Sequence, residues 1–163
     1  MKTRNFFLLL LLVVLTAANA SAQNRVNRYI SKYESMAVAQ MKKYQIPASV
    51  ILGVSIIESG AGTSKLARYF HNHFGIKGPS KNSIEKLGYR SAYREYESDT
   101  ASYEHFCRML ANKRFYSSVK GEADYQVWLQ HMMKARYSTA PDAWIKKISA
   151  TIERYKLYEY DDM

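Results

Sequence analysis

One carboxylate in this sequence has surroundings suited to acid catalysis: Glu58, which follows an almost wholly apolar segment. Residues 50–57 leave no solvent-facing side on a helix, and a helix that is apolar all round is a buried one. At the end of that helix Glu58 is desolvated and faces the negative end of the helix dipole, and both effects disfavour its charged form. An acid that keeps its proton at neutral pH can donate it to a leaving oxygen as a general acid.

The position of Glu58 also fits a structural role, in which an arginine of a neighbouring helix satisfies a buried glutamate. Structural pairs of this kind are common, so position alone does not decide between the two roles. The small residues Gly60, Ala61 and Gly62 favour catalysis, because they leave room for a substrate chain to approach. The chain also has 14 tyrosines and two tryptophans, whose faces can stack on sugar rings, although most are expected to pack in the core.

Helical periodicity dominates the sequence around Glu58 and predicts a mainly α-helical domain. Residues 74–96 interrupt it with three glycines and a proline followed by alternating residues, and they are predicted to form a loop or a small β-hairpin lobe. The predicted helices are residues 24–44, a buried helix from Pro47 to Gly60, a short helix from Thr63 or Ser64 through Arg68, residues 98–112, residues 124–134 and a last helix from Pro141.

The N-terminus has the pattern of a signal peptide. Lys2 and Arg4 precede an apolar run at residues 6–15, and small residues with two possible Ala-x-Ala cleavage sites follow. Cleavage after Ala22 predicts a signal peptide at residues 1–22 and a single domain at residues 23–163; cleavage after Ala20 and an uncleaved membrane anchor are the alternatives. The protein is therefore expected to be exported, either periplasmic or secreted and associated with the cell wall, with no stable membrane insertion after cleavage.

The charge of the chain predicts a polyanionic partner. Lys and Arg number 24 against 14 Asp and Glu, for a formal net charge of +10. A cell-wall polymer, a membrane surface and nucleic acid would each suit a positive protein, but the basic residues are scattered and form no arginine-rich arm. Nucleic acid is therefore the weakest of the three and is not expected as a partner. The sequence does not indicate an oligomeric state.

No cofactor or metal is expected from the motifs present. The sequence has no glycine-rich phosphate loop and no serine in a nucleophile-elbow context. His71 and His73 could clamp a metal from a loop, but no third ligand is nearby in sequence. Cys107 is the only cysteine, which excludes an intramolecular disulfide, and its apolar context predicts a buried side chain.

Four segments, taken in order, resemble one family of enzymes. "ESGAGTSKLA" and "HNHFGIKG" are similar to the glutamate motif and the N-x-F-G-I-K motif of glycoside hydrolase family 73, the bacterial endo-β-N-acetylglucosaminidases. "YREYESDTASYEHFCRML" and "ARYSTAPDAWIKKISATIERYKL" resemble two later segments of that family. The resemblance covers essentially the whole chain after the leader. It implies a lysozyme-like helical fold and hydrolysis of peptidoglycan.

The resemblance also implies roles for individual residues. Glu58 would be the general acid, Tyr137 would line the cleft near the scissile bond, and Glu85 would be a second carboxylate on the β-lobe, a position for which Glu95 and Glu97 compete. Ala61 and Ala140 depart from the family pattern, which has tryptophan and aspartate there. The substrate-binding set would be Ser59, Gly60, Asn72, Phe74, Gly75, Lys77 and Tyr93.

The reaction implied is cleavage of the β-1,4 bond between N-acetylglucosamine and N-acetylmuramic acid in peptidoglycan glycan strands. Either water activated by a carboxylate such as Glu85 or the acetamido oxygen of the substrate could attack the sugar. A muramidase or a lytic transglycosylase of the same superfamily is the nearest alternative. A non-catalytic wall-binding module is the alternative from another class, and the departures at Ala61 and Ala140 keep it open.

Overall fold

The computed structural model describes the backbone of residues 2–163 and the side chains of residues 21–163. Its long first helix, α1, contains the predicted helix at residues 24–44, and the other predicted helices are present within one or two residues of their expected bounds. The helices are α1 (Lys2–Tyr44), α2 (Ala48–Ser59), α3 (Lys65–Phe70), α4 (Ser83–Leu87), α5 (Asp99–Ala111), α6 (Tyr116–Val119), α7 (Tyr125–Lys134) and α8 (Pro141–Arg154), followed by a 3₁₀-helix (Leu157–Tyr160).

Helix α2 forms the centre of the core, as its apolar sequence predicts. Nearly all of its residues are buried, and it packs against α1, α7, α8 and the 3₁₀-helix. Gly53 permits a close contact with α8, because a Cβ at this position would lie only 2.9 Å from Cγ1 of Ile152. The helix ends at Gly60, whose left-handed conformation (φ 59°) costs glycine little. The packing places the end of α2 beside the start of α8.

A polar network inside the helical domain joins α1, α5 and the loop after α3. The carboxylate of Asp99, the first residue of α5, hydrogen-bonds His71 Nδ1 (2.7 Å), His73 Nε2 (3.0 Å) and the Tyr33 hydroxyl (2.7 Å). His73 is 2% exposed and also hydrogen-bonds the hydroxyl of Tyr29. The two histidines that the sequence offered as metal ligands therefore bind a carboxylate that fixes the loop to the helices.

The predicted β-hairpin lobe is not confirmed. Among the described residues the only β-pairing is one isolated antiparallel bridge between Lys77 and Tyr93, supported by backbone hydrogen bonds from Gly78 to Ala92 and from Arg94 to Ile76. The chain between the two sides of the bridge forms the short helix α4 instead of extended strands. A helix cannot continue the ladder of backbone bonds that a strand pair needs, so the pairing stops after one bridge.

The predicted signal peptide, residues 1–22, lies outside the residues whose side chains are described, except for Ser21 and Ala22. Among the described residues, no helix is both long enough and apolar enough to cross a bilayer.

The polar network predicts a pH-dependent stability. Burial acts to raise the pKa of Asp99, but the hydrogen bonds from His73, His71 and Tyr33 outweigh it, so the pKa lies well below its usual range. A carboxyl whose pKa is lowered by folding stabilises the protein above its unfolded value of about 4, and this contribution is lost as the pH falls below that value.

We therefore expect Asp99→Asn to lower the free energy of unfolding at pH 7 by about 1–2 kcal/mol, as for the loss of a charged hydrogen-bond acceptor. Urea denaturation at pH 7, 5 and 3 should show the difference from the wild type shrinking below pH 4. Tyr33→Phe, which removes one donor and keeps the carboxylate, should cost less at pH 7. A difference that is equal at all three pH values would contradict this account of Asp99.

Candidate active site

A cleft of about 560 Å³ opens beside the C-terminal end of α2. We call it the central cleft. Its walls are formed by the end of α2, the loop after α3, the Tyr93 side of the β-bridge, and the C-terminal ends of α5 and α7. Its lining residues are Glu58, Phe74, Gly75, Ile76, Lys77, Tyr93, Met109, Leu110, Lys113, Phe115, Met132, Ala135, Arg136, Tyr137, Ser138 and Thr139.

Glu58 lies at this cleft with its carboxylate held by a single indole. The side-chain Nε1 of Trp144, on the first turn of α8, donates a hydrogen bond to Glu58 Oε1 (2.8 Å). Glu58 is half-buried rather than fully buried, because α2 ends one residue later and leaves the carboxylate at the edge of the cleft. The partner is thus a neutral donor, and the arginine that the structural alternative required is absent from the ion pairs of the described side chains.

The indole favours one of the two carboxyl oxygens as the carrier of a proton. An indole N–H can only donate, so Oε1 must accept in both protonation states of Glu58. A carbonyl oxygen is a better acceptor than a hydroxyl oxygen, so this contact favours a proton on Oε2. This oxygen faces Gly75, where a Cβ would lie 3.5 Å from it and where the positive φ of 61° also favours glycine. The backbone at Gly75 can approach Oε2 closely for both reasons.

Tyr137 stands beside this pair as a neutral hydrogen-bond donor. Its ring centre lies 5.2 Å from that of Trp144, and its hydroxyl points to the carbonyl oxygen of Phe74 at a long 3.5 Å. Burial raises the pKa of the Tyr137 phenol well above its usual value, and the nearby Glu58 carboxylate acts in the same direction. The phenol therefore stays protonated at any physiological pH.

The loop that forms one wall of the cleft is fixed from behind by Asn72. Its side-chain amide donates to the carbonyl oxygens of Ile76 and Arg94 (both 2.8 Å), and its Oδ1 accepts from the backbone N–H of Ile76 (3.0 Å). Asn72 is 1% exposed and does not line the cleft, so the structure gives it a positioning role. Phe74 stacks on Phe106 of α5 at 4.1 Å, which anchors the same loop to the core.

The other predicted binding residues divide into two groups. Gly75, Lys77 and Tyr93 line the central cleft, as does the edge of Phe74. Ser59 and Gly60 do not: Ser59 is buried, with its hydroxyl donating to the carbonyl of Ser55 and accepting from the N–H of Gly62, and Gly60 caps α2. These two residues shape the turn that ends α2.

The structure does not bring Glu85 to the central cleft. Glu85 is exposed in α4 and lines a separate groove formed by residues 78–85, Arg90 and Ser91. Its competitor Glu95 accepts hydrogen bonds from Lys86 Nζ (2.6 Å) and from the backbone N–H groups of Lys81 and Asn82, an arrangement that lowers the pKa of Glu95 and fixes α4. Glu97 lies in a third groove with Arg94 and Tyr96.

Sequence reasoning missed two parts of this site. Trp144 falls within the predicted last helix, but only the packing of α8 on α2 makes it the partner of Glu58. Lys113 lies outside the four family-like segments, and Arg136 lies within the last of them, where only Tyr137 was given a role. Among the described side chains, no group of three or more His, Cys, Asp and Glu could hold a metal ion.

Comparison with known proteins gives one family match. The family model described as mannosyl-glycoprotein endo-beta-N-acetylglucosaminidase, or Glucosaminidase, matches residues 34–157. Exo-glucosaminidase LytG of Bacillus subtilis is 28% identical over 151 residues, which are 83% of this chain and 53% of LytG. An N-acetylmuramoyl-L-alanine amidase domain-containing protein of Staphylococcus aureus is 32% identical over 136 residues, 72% of this chain and 22% of that protein. The chain thus spans about half and about a fifth of these two relatives.

Solved structures with the same fold include two hydrolase domains. The catalytic domain of the autolysin Auto from Listeria monocytogenes superposes with a TM-score of 0.66 at 25% identity, covering 84% of this chain and 88% of that one. The glycoside hydrolase domain of Salmonella typhimurium FlgJ superposes with a TM-score of 0.61 at 18% identity, covering 80% and 88%. This chain therefore shares the helical fold of these two domains.

The contact between Trp144 and Glu58 can be tested directly by NMR, because the chain has only two indole N–H groups. The second, on Trp128, donates to the backbone carbonyl of Glu122 and serves as an internal reference. Compared with the wild type in which Glu58 is ionised, we expect Glu58→Gln to move the Trp144 indole resonance upfield, since a neutral amide oxygen is a weaker acceptor than a carboxylate. The Trp128 resonance should stay in place.

Glu85→Gln is the matched control and should move neither indole resonance, because Glu85 lines another groove. An unchanged Trp144 resonance in the Glu58→Gln protein would show that the hydrogen bond does not form in solution.

Proposed function

Because the chain belongs to the glucosaminidase family of glycoside hydrolases, we propose that it hydrolyses peptidoglycan glycan strands. The bond is the β-1,4 linkage between N-acetylglucosamine and N-acetylmuramic acid, and Glu58 is the general acid. The observation that carries this proposal is that Glu58 is the only carboxylate among the residues lining the central cleft. It is half-buried, oriented by Trp144, and free to present Oε2 to a bound sugar.

The first chemical step follows from this arrangement. The proton on Oε2 of Glu58 passes to the glycosidic oxygen as the bond from that oxygen to C1 breaks and the sugar ring moves towards an oxocarbenium ion. Trp144 keeps donating to Oε1 while charge develops on the carboxylate. A hydrogen bond to a charged acceptor is stronger than one to a neutral acceptor, so this contact stabilises Glu58 more after it has given up its proton.

The residues that line the cleft best support a substrate-assisted attack on C1. No second carboxylate lines the central cleft, whereas the acetamido oxygen of the substrate is carried in with the sugar. It forms a bond to C1 as the leaving group departs, and water then opens the resulting ring while the Glu58 carboxylate takes up the water's proton. Tyr137, a phenol that stays protonated and lines the cleft, would donate a hydrogen bond to this intermediate.

We propose that residues 1–22 direct export and that residues 23–163 act as a single catalytic domain in the periplasm or at the cell wall. The positive charge of the chain supports this location, because the peptides of the wall carry carboxylates. A mature N-terminus at Gln23, read by protein sequencing, would be the expected result, and an intact N-terminus would oppose it.

We expect Glu58→Gln to lower peptidoglycan hydrolysis by about 10²–10⁴-fold, the usual contribution of a positioned acid. Glutamine nearly matches glutamate in size and still accepts from Trp144, so the fold should be kept. Glu85→Gln should remain within a few-fold of the wild type, because the substrate-assisted step does not need it. Both variants are measured by dye release from labelled sacculi.

Two results would count against this assignment. A Glu58→Gln protein with activity within a few-fold of the wild type would exclude Glu58 as the acid. A loss with Glu85→Gln as deep as that with Glu58→Gln would instead make Glu85 the base that activates an attacking water. In that case α4 would have to move to bring Glu85 to the cleft.

The bond that is cleaved is tested by the ends of the products. Borohydride reduction of a digest followed by mass spectrometry should yield glucosaminitol ends. Muramitol ends would identify a muramidase. Anhydromuramic ends would identify a lytic transglycosylase, a reaction that the single carboxylate of the cleft also suits. Binding to sacculi without any product would support a wall-binding module.

A further inference from the structure

The central cleft has a basic wall that cleavage of a neutral glycosidic bond does not require. Lys77, Lys113 and Arg136 all line it and are exposed, and Glu58 is the only acid among the lining residues. Within the set of side chains that the structure describes, none of the three cations lies within 4.0 Å of a carboxylate. Their charges are therefore available to a ligand.

These cations come from three separate parts of the chain. Lys77 belongs to the β-bridge, Lys113 follows α5 and Arg136 follows α7. They are thus not a single solvated helix face that happens to pass the cleft. A concave surface lined by one sign of charge concentrates the electric field and attracts ions of the opposite sign.

A smaller groove adjoins the central cleft at Met109 and Lys113. This smaller groove, of about 230 Å³, is lined by His105, Arg108, Met109, Asn112 and Lys113. Met109 and Lys113 line both spaces, so the two are adjacent. We call the smaller groove the basic branch.

Arg108 gives the basic branch a second cation. The Arg108 side chain is exposed, and like Lys113 it has no carboxylate within 4.0 Å among the described side chains. Burial and the nearby charges of Arg94 and Arg108 lower the pKa of His105, whose Nδ1 hydrogen-bonds the hydroxyl of Tyr96. His105 is therefore neutral at pH 7, and the positive charge of this branch comes from Arg108 and Lys113.

We propose that the basic branch binds the carboxylates of the peptides attached to the glycan, so that the substrate is the peptide-bearing strand rather than bare glycan. This inference rests on the proposed function, which places the glycan in the central cleft. A substituent of a strand bound beside Glu58 then has this adjacent groove within reach at Lys113, where a guanidinium and an ammonium group are exposed. Carboxylates are the groups on such a substituent that these cations would bind.

The test measures binding without turnover, using the Glu58→Gln protein and soluble, uncross-linked glycan strands in three forms. The first form carries its peptides, the second has the same peptides with every carboxyl group amidated, and the third has lost its peptides but keeps the lactyl carboxylate. We expect the peptide-bearing strands to bind about tenfold more tightly than either of the other two, with the difference falling as salt rises.

A charge-reversal variant locates the effect. Lys113→Glu, in the Glu58→Gln protein, should weaken binding of the peptide-bearing strands about fivefold and of the amidated strands much less, the size expected when one exposed ionic contact is lost. Lys146→Glu makes the same charge change at an exposed position of α8 outside both spaces and should leave the preference intact.

Equal binding of peptide-bearing and amidated strands would overturn the inference, and so would equal effects of Lys113→Glu and Lys146→Glu. Tight binding of the strands that keep only the lactyl group would assign the cations to that carboxylate and also overturn it. If the wild type hydrolyses the strands but the protein shows no preference for peptide-bearing over amidated strands, the proposed function stands and this inference fails. If the protein prefers peptide-bearing strands but hydrolyses none of them, this inference is retained and the enzymatic function is rejected.

Discussion

The hydrogen bond from the Trp144 indole to Glu58 is the interaction on which the proposed chemistry depends. Its donor lies on the last helix and its acceptor at the end of the central buried helix, so it forms only when α8 docks on α2. Gly53 allows that docking, because a side chain there would collide with Ile152. Since the indole can only donate, it favours the acidic proton on Oε2. Core packing thus determines which atom of the acid faces the cleft.

The other wall of the cleft is held by polar contacts of a different kind. Asn72 fixes the loop through three hydrogen bonds to backbone groups, and Asp99 joins the adjacent histidines to α5. These contacts lie behind the cleft surface and do not line it. The residues around Phe74 therefore have two roles along one short segment: side chains that face the interior position the loop, while Gly75 and Lys77 face the cleft.

Much of the fold could be predicted from sequence because it follows from local patterns. The helices show helical periodicity and clear start and stop residues, and the apolar segment before Glu58 indicated the central helix. The β-hairpin lobe is not confirmed: the alternating residues near Tyr93 resemble a strand, but they pair with Lys77 in a single bridge, and the chain between the two sides forms α4. Trp144 as a partner of Glu58, and the cations Lys113 and Arg136, depend on contacts between distant elements. Patterns within a single sequence do not show which distant residues come into contact.

The proposed reaction needs only one carboxylate and the acetamido group of the substrate itself. Proton NMR of freshly formed products tests this directly, before the new sugar end equilibrates between its α and β forms. Substrate assistance inverts C1 twice, so we expect a new N-acetylglucosamine end in the β configuration. An initial α product would require an activated water and a second carboxylate at the cleft, and would exclude the substrate-assisted reaction.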